Sequence, residues 1–439
     1  MMPDVKVPAA NLADAFIALN HRRPLQPSEL AALFVSRPDS PTPYIQTRLK
    51  LTPAGPKILF VGHMGSGKST ELTYLAEQLR DSFISVQVPI YEIYQKPDIN
   101  HTELIYAMTL RLIQVATDES VVPRGVVKAA WEKLLEDVFL RLKKSLVGEQ
   151  PVGGESPHPV TVRLAVLAAE LETKVGTEDA TRRQVRELYA TNVGELIQQI
   201  NDLSDQLRQI THKHVLMWVD GLEKFDLKDM RELFVNHGRS LTEPRPAVIY
   251  TFPVAMRYTY DFTSIQRDFD RVEFLPNFSV NHRDGQPDEL GRARLTEIVT
   301  RRVDPGLFQE NVLPEAVLWS GGHVKTLLQL LQQATLEAVV ANRQQVGSEH
   351  LQRAVRRLRD NYMVMLRKND YVALRQVRDD SAKDLTDAEG EKKDLLYNGS
   401  LLEYGNTRGP WIGINPIVSE LLDVLEETSP AADGDSSGP

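Results

Sequence analysis

The run Gly62-His63-Met64-Gly65-Ser66-Gly67-Lys68-Ser69, followed by Thr70, is where the residue types speak most directly of chemistry. It is a complete G-x-x-x-x-G-K-S match. Backbone amides in such a loop turn inward and cradle phosphate oxygens, and glycines hold the tight positions because a side chain would obstruct that approach. Lys68 would reach the β- and γ-phosphates as a point charge, and the Ser69 hydroxyl would ligate Mg²⁺. A helix starting at Lys68 would add its positive dipole end. Residues Gly62 to Thr70 are therefore the candidate nucleotide contacts.

A triphosphate site also needs one acid for the metal and one for the attacking water. Asp220 ends the apolar run Val215-Leu216-Met217-Trp218-Val219. Ligands of open α/β sheets bind at such carboxyl ends, so Asp220 joins Ser69 as a candidate Mg²⁺ ligand. The next acid, in Asp220-Gly221-Leu222-Glu223-Lys224, is Glu223. It is the candidate water activator; the alternative is a carboxylate that pairs with Lys224 or caps a helix. Thr251 ends Val248-Ile249-Tyr250 and would orient the water or touch the γ-phosphate, or else close a local turn with Pro253. Lys325, in Ser320-Gly321-Gly322-His323-Val324-Lys325, falls in the first turn of an apolar-periodic helix and off its buried face. A lysine is unfavourable there unless an anion compensates it. It reads as a phosphate sensor, against a merely solvated lysine. Arg267, Arg271, Arg301 and Arg302 are candidate γ-phosphate arginines among which the sequence does not choose. The histidines show no metal-ligand spacing, and His212 and His214 flank a turn as structural residues. No Ser/His/Asp arrangement is legible.

The elements that must hold these residues alternate. Ile58–Val61, Phe83–Ile90, Val215–Val219, Val248–Tyr250 and Val272–Leu275 read as strands, and Lys68–Leu79 and Thr102–Ala116 as helices, which predicts a parallel α/β sheet. Helices are expected at 124–146 and 161–173, with a Gly/Pro loop at Gly148 to Val160. Tyr189, Val193, Leu196, Ile200, Leu203, Leu207 and Ile210 form one helical seam, for core packing or for a coiled-coil partner. The domain organisation follows: a proline-rich arm at 1–57, with short helices at Asn11–Leu19 and Ser28–Val35 and extended chain otherwise; a P-loop core at 58–280 with a helical insert at about 117–180; a helical lid at 281–368; a winged-helix-like domain at 369–425 containing the hairpin Ser400–Tyr404 and Trp411–Ile414; and an acidic disordered tail at 426–439.

Composition narrows the function classes. The 439 residues carry 51 Lys plus Arg and 60 Asp plus Glu, a net charge of −9, which excludes a broadly basic nucleic-acid coat. There is no cysteine, so disulfides, cysteine-bound metals and thiol catalysis are excluded. The start of the chain does not read as a targeting signal, and no stretch reaches membrane-spanning length, the best being Leu164–Leu171. A cytoplasmic protein without membrane partners is expected. The mixed charge of Glu389-Gly390-Glu391-Lys392-Lys393-Asp394 and the single Arg408 in the wing favour protein packing over DNA reading. Arg353, Arg356, Arg357 and Arg359 form the one concentrated basic surface.

Together the loop at Gly62–Ser69, the Asp220-Gly221-Leu222-Glu223 box, Thr251, and Gly321-Gly322-His323-Val324-Lys325 resemble the AAA+ superfamily. The aspartate–glycine–apolar–acid form resembles its signal-transduction branch, the STAND ATPases, especially NACHT-type members. The Gly-Gly-x-x-basic element is similar to that of initiator-type AAA+ proteins. The resemblance spans residues 45–425. It implies a P-loop core with a helical lid and winged helix, ATP and Mg²⁺ as cofactors, slow hydrolysis, and domain rearrangement with homo-oligomerisation or a partner effector protein. Bacterial relatives of this type often serve in phage defence. The alternative is a DNA-associated loader like initiator or transposition-helper ATPases. Gly221 stands where many relatives have glutamate, Lys224 where NACHT-type proteins often have a second acid, and Lys325 where arginine is usual.

Overall fold

The computed structural model describes residues 7–52, 55–96, 98–123, 129–147, 158–379, 391–405 and 409–428. Most of the expected Gly148–Val160 loop, Arg408, Glu389, Gly390 and the tail from 429 onward lie outside them. The chain forms two compact units. The sheet unit comprises residues 41–62 and 68–275, and the helical unit comprises 1–40, 63–67 and 276–439.

In the sheet unit the expected strands form one parallel sheet: β1 (Lys57–Gly62), β2 (Phe83–Pro89), β3 (His214–Asp220), β4 (Ala247–Pro253) and β5 (Arg271–Phe274). The spatial order is β2-β3-β4-β1-β5. β1 and β4 are buried along their whole length, as unbroken apolar runs should be when helices cover both faces. The register sets Val219 opposite Tyr250 and Gly62 opposite Pro253, so the carboxyl ends of β1, β3 and β4 share one edge of the sheet.

Helix Lys68–Leu79 matches its expected span, but helix Thr42–Leu51 replaces the extended chain read from the prolines. Pro43 falls in its first turn, where a missing N–H costs nothing and the fixed φ is already helical. Ile45 and Leu49 then join Phe60, Leu72, Leu75 and Trp218 in the core beside the sheet. The long seam is broken: Tyr189 ends helix Asp179–Tyr189, and a new helix runs Val193–Thr211. The four-residue step from Tyr189 to Val193 keeps the apolar period while the backbone turns. Leu196, Ile200, Leu203 and Leu207 are fully buried, so this seam belongs to the chain's own core and offers no coiled-coil face.

A buried ion cluster fastens helix Asp179–Tyr189 to helix His101–Ala116. Glu103, with no exposed surface, accepts from Arg182 Nε at 2.7 Å and from Arg186 Nη2 at 2.8 Å. Carboxylate oxygens taken by guanidinium donors make burial of that charge tolerable.

The helical unit has its own core, including Leu12, Leu19, Leu295, Leu327, Leu331 and Leu351. It holds the antiparallel hairpin β6 (Leu401–Tyr404) and β7 (Trp411–Ile414). Helix Pro416–Thr428 follows, so Glu426 to Thr428 belong to a helix rather than to the tail. Its start is set by Pro416 and by Asn415 Oδ1, which accepts from the Ile417 N–H at 3.1 Å. No helix among the described residues is long and apolar enough to cross a membrane.

His101 opens helix His101–Ala116 and stacks on His237 with ring centroids 3.6 Å apart and planes 11° from parallel. Burial, then the His237 ring, push His101 down to about 4, against the opposing pull of Glu232. A depressed histidine gives its full stability above the ordinary value of 6.5. As pH falls from there toward 4, the unfolded chain takes up a proton that the folded chain refuses, and stability is lost. Thermal unfolding at pH 7 and pH 5 should therefore show a smaller drop in His101→Gln than in the parent, by on the order of 2 °C. An equal drop would contradict this.

Candidate nucleotide-binding site

Four residues of the sheet unit converge where β1 and β3 end. Lys68 begins the helix after β1, and its side chain is almost wholly enclosed. Its Nζ donates to the Gly62 carbonyl at 3.0 Å and forms an ion pair with Glu223 Oε1, also at 3.0 Å. Beside it, the Ser69 hydroxyl donates to Asp220 Oδ1 at 2.9 Å. Burial pushes the Asp220 carboxyl up to about 6, and the charge of Glu223 adds to the rise. Burial also acts to raise Glu223, but the Lys68 ammonium, through charge and hydrogen bond, outweighs it and holds that carboxyl below its ordinary value. Glu223 Oε2 is buried without a hydrogen-bond partner.

The turn after β3 explains how an acid three residues beyond Asp220 reaches the lysine. Gly221 adopts φ +91°, in the left-handed region where a side chain is strained, and a Cβ there would lie 3.1 Å from Tyr91 Cβ. The reversal leads into the 3₁₀ turn Leu222–Lys224, which points Glu223 at Lys68. Glu223 thus pairs with Lys68 rather than with Lys224, whose ammonium lies 5.3 Å from the centre of the Tyr91 ring.

Thr251 lies inside β4 rather than at its end, because the strand continues through Phe252 and Pro253. It is fully buried, and its hydroxyl oxygen accepts from the Gly221 and Leu222 N–H groups at 3.0 and 3.1 Å. Its visible work is to fix the turn that carries Glu223; a local turn closed with Pro253 is not what it makes.

The apex of the loop, residues 63–67, packs within the helical unit. His63 is buried, and its Nε2 accepts the Glu403 N–H of β6 at 2.8 Å. The Met64 carbonyl accepts from His323 Nε2 at 3.0 Å, and the Met64 side chain is exposed. The Gly65 carbonyl accepts the Lys325 N–H at 3.2 Å, and the Ser66 carbonyl accepts from the Arg37 guanidinium. Three successive carbonyls of the loop are thus engaged by neighbouring residues, while the Ser66 N–H donates within the loop to the His63 carbonyl at 3.1 Å. Gly65 has φ +91°, and a Cβ on it would stand 2.7 Å from Lys325 Cβ, so the lysine stem packs directly on the loop. Ser66 Oγ is buried without a hydrogen-bond partner, and Thr70 is half-buried in the first turn of the helix.

Lys325 is therefore seated against the loop, in the first turn of helix Val324–Val340. Among the candidate arginines, Arg301 pairs with Glu297 at 2.6 Å, and buried Arg302 donates to the Ile298 carbonyl at 2.6 Å. Arg267 and Arg271 are exposed. Arg37 escaped the sequence reading. It also donates to the Pro276 carbonyl at 2.9 Å and lies 4.3 Å from the centre of the Phe278 ring. Its only sequence signal was the apolar pair Phe34-Val35 just before it. His212 caps a helix with φ +58°, and His214 packs on Phe83, so both are structural as expected.

The donor set suits Mg²⁺: a serine hydroxyl and a carboxylate already within hydrogen-bond distance of each other. Among the described residues no group of three or more His, Asp or Glu could hold a metal without other ligands.

No protein-family model matches the chain, and no curated protein matches it. Solved structures do. A Walker-type ATPase of Pyrococcus abyssi is 15% identical, with 92% of this chain and 99% of that one covered and a TM-score of 0.46. Cdc6p of Pyrobaculum aerophilum is 11% identical, with 91% and 99% covered and a TM-score of 0.38. The RuvB Holliday junction branch migration motor of Thermotoga maritima is 10% identical, with 93% and 99% covered and a TM-score of 0.37. At this distance the likeness assigns no activity. The chain's own strand order places β4 between the loop-bearing β1 and the acid-bearing β3 in a parallel α/β sheet.

Thr251→Val keeps the shape of the side chain but leaves two buried N–H groups without an acceptor. Urea unfolding should show a loss of about 2 kcal/mol. A loss within experimental error of zero would mean that the hydroxyl does not hold the turn.

Proposed function

We propose that this chain binds ATP with Mg²⁺ and hydrolyses it slowly, as a switch of the AAA+ type. One observation carries the reading. At the carboxyl edge of the sheet, a phosphate-loop lysine and serine are each bonded to a different acid, Lys68 to Glu223 and Ser69 to Asp220, both at about 3 Å. Lys68 and the amides of residues 62–69 bind and orient the phosphates. Ser69 and Asp220 hold Mg²⁺, which neutralises phosphate charge when bound. Glu223 accepts the proton of the attacking water, and its unpartnered Oε2 is suited to receive it. Thr251 positions the turn behind Glu223, and Lys325 reports on the phosphate-bound loop to the helical unit.

The resemblance to STAND ATPases extends this to a cytoplasmic switch whose nucleotide state governs homo-oligomerisation or signalling to an effector protein, with a role in phage defence and a winged helix formed around the β6–β7 hairpin. The DNA-associated alternative rests on helix Ser348–Met365. There Arg353 and Arg357 pair with Glu337 at 3.8 and 2.8 Å, and Arg359 with Glu420 at 3.7 Å. Arginines already facing acids offer less charge to a phosphate backbone, which favours the protein-partner reading.

Lys68→Ala should abolish ATP binding in calorimetry, and retained binding would refute the site. Glu223→Gln should keep binding and lower phosphate release by at least about 100-fold. Unchanged release would remove Glu223 from the proton-accepting role.

A further inference from the structure

The ion pair between Lys68 and Glu223 has a second consequence, which rests on reading Lys68 as a phosphate-binding lysine. The two side chains are 1% and 5% exposed. An ammonium buried that deeply needs an anion, and Glu223 supplies it. Yet a phosphate arriving at Lys68 brings its own negative charge into a space already holding the carboxylates of Glu223 and Asp220. One ammonium does not neutralise all of them, and like charges held close at low dielectric repel strongly.

The way Glu223 is held suits a detachable counter-ion. Only Oε1 is engaged by the lysine, while Oε2 is buried with no hydrogen bond to keep it in place. The backbone beneath it is firm by contrast, fixed by the Gly221 reversal and by Thr251. Thr251 also hydrogen-bonds the Glu223 carboxylate, so Lys68 can leave it for another anion while the acid and the strand end stay in place.

We propose that Glu223 is a resident counter-anion that a polyphosphate must displace from Lys68, so that residue 223 limits the affinity of the site before it takes part in any turnover. The ligand class is any di- or triphosphate anion, whether or not it can be hydrolysed. Removing the charge at 223 should tighten binding, whereas a residue of purely structural value would weaken it or leave it unchanged when replaced.

The test uses ADP and inorganic pyrophosphate without added metal, so that slowed hydrolysis cannot pass for tighter binding. Calorimetric titration of Glu223→Gln should give a dissociation constant lower than the parent's by on the order of tenfold for both ligands. Glu223→Asp, which keeps the charge but shortens its reach, is the second variant should the first not fold; a smaller gain is expected. Affinity equal to or weaker than the parent's in a folded variant overturns the proposal, even while Lys68→Ala still abolishes binding. Parent protein that binds neither ligand overturns instead the phosphate-site reading beneath it.

Discussion

A lysine whose side chain is only 1% exposed cannot be left without an anion, and much of the sheet unit is arranged around that requirement. β1 delivers Lys68 to the carboxyl edge of the sheet, and β3 delivers Asp220 to the same edge. Gly221 turns the chain so that the acid meeting the lysine comes from residue 223 rather than from the position directly after the aspartate. Thr251 reaches across from β4 to hold that turn by its amides. Each of these residues is intelligible as a means of placing one carboxylate oxygen 3.0 Å from one nitrogen.

The loop apex obeys a separate constraint. A backbone that presents its amides to an anion must dispose of its carbonyls elsewhere. Here His323, Lys325 and Arg37 take the carbonyls of Met64, Gly65 and Ser66, and the His63 ring is tied to the backbone of β6. Accepting an N–H requires His63 Nε2 to be unprotonated, which fixes its tautomer. The apex is thus organised by side-chain and backbone groups from distant parts of the sequence, all within the helical unit.

Much of this was legible in the residues. Lys68, Ser69, Asp220 and Glu223 stand out because a glycine-rich loop and an acid after an apolar run are local patterns, and the geometry brings those four together. The parallel sheet was legible for the same reason, since runs such as Val215–Val219 are contiguous. Long-range information was not. Nothing in the arm marks Arg37 as a partner of Ser66, and nothing near Thr251 shows that its hydroxyl serves residues thirty positions earlier. Proline misled at residues 41–43, where a helix-starting position looks, in sequence, like a helix breaker. The seam from Tyr189 concealed a turn because its spacing happens to preserve the helical period.

The most direct measurement is a crystal structure of the chain grown with Mg²⁺ and a non-hydrolysable ATP analogue. It should show Lys68 Nζ on the terminal phosphates and beyond hydrogen-bond distance of Glu223, with Ser69 and Asp220 both on the metal. A complex in which the Lys68–Glu223 pair stays intact at 3.0 Å, or in which Asp220 faces away from the metal, would contradict the account.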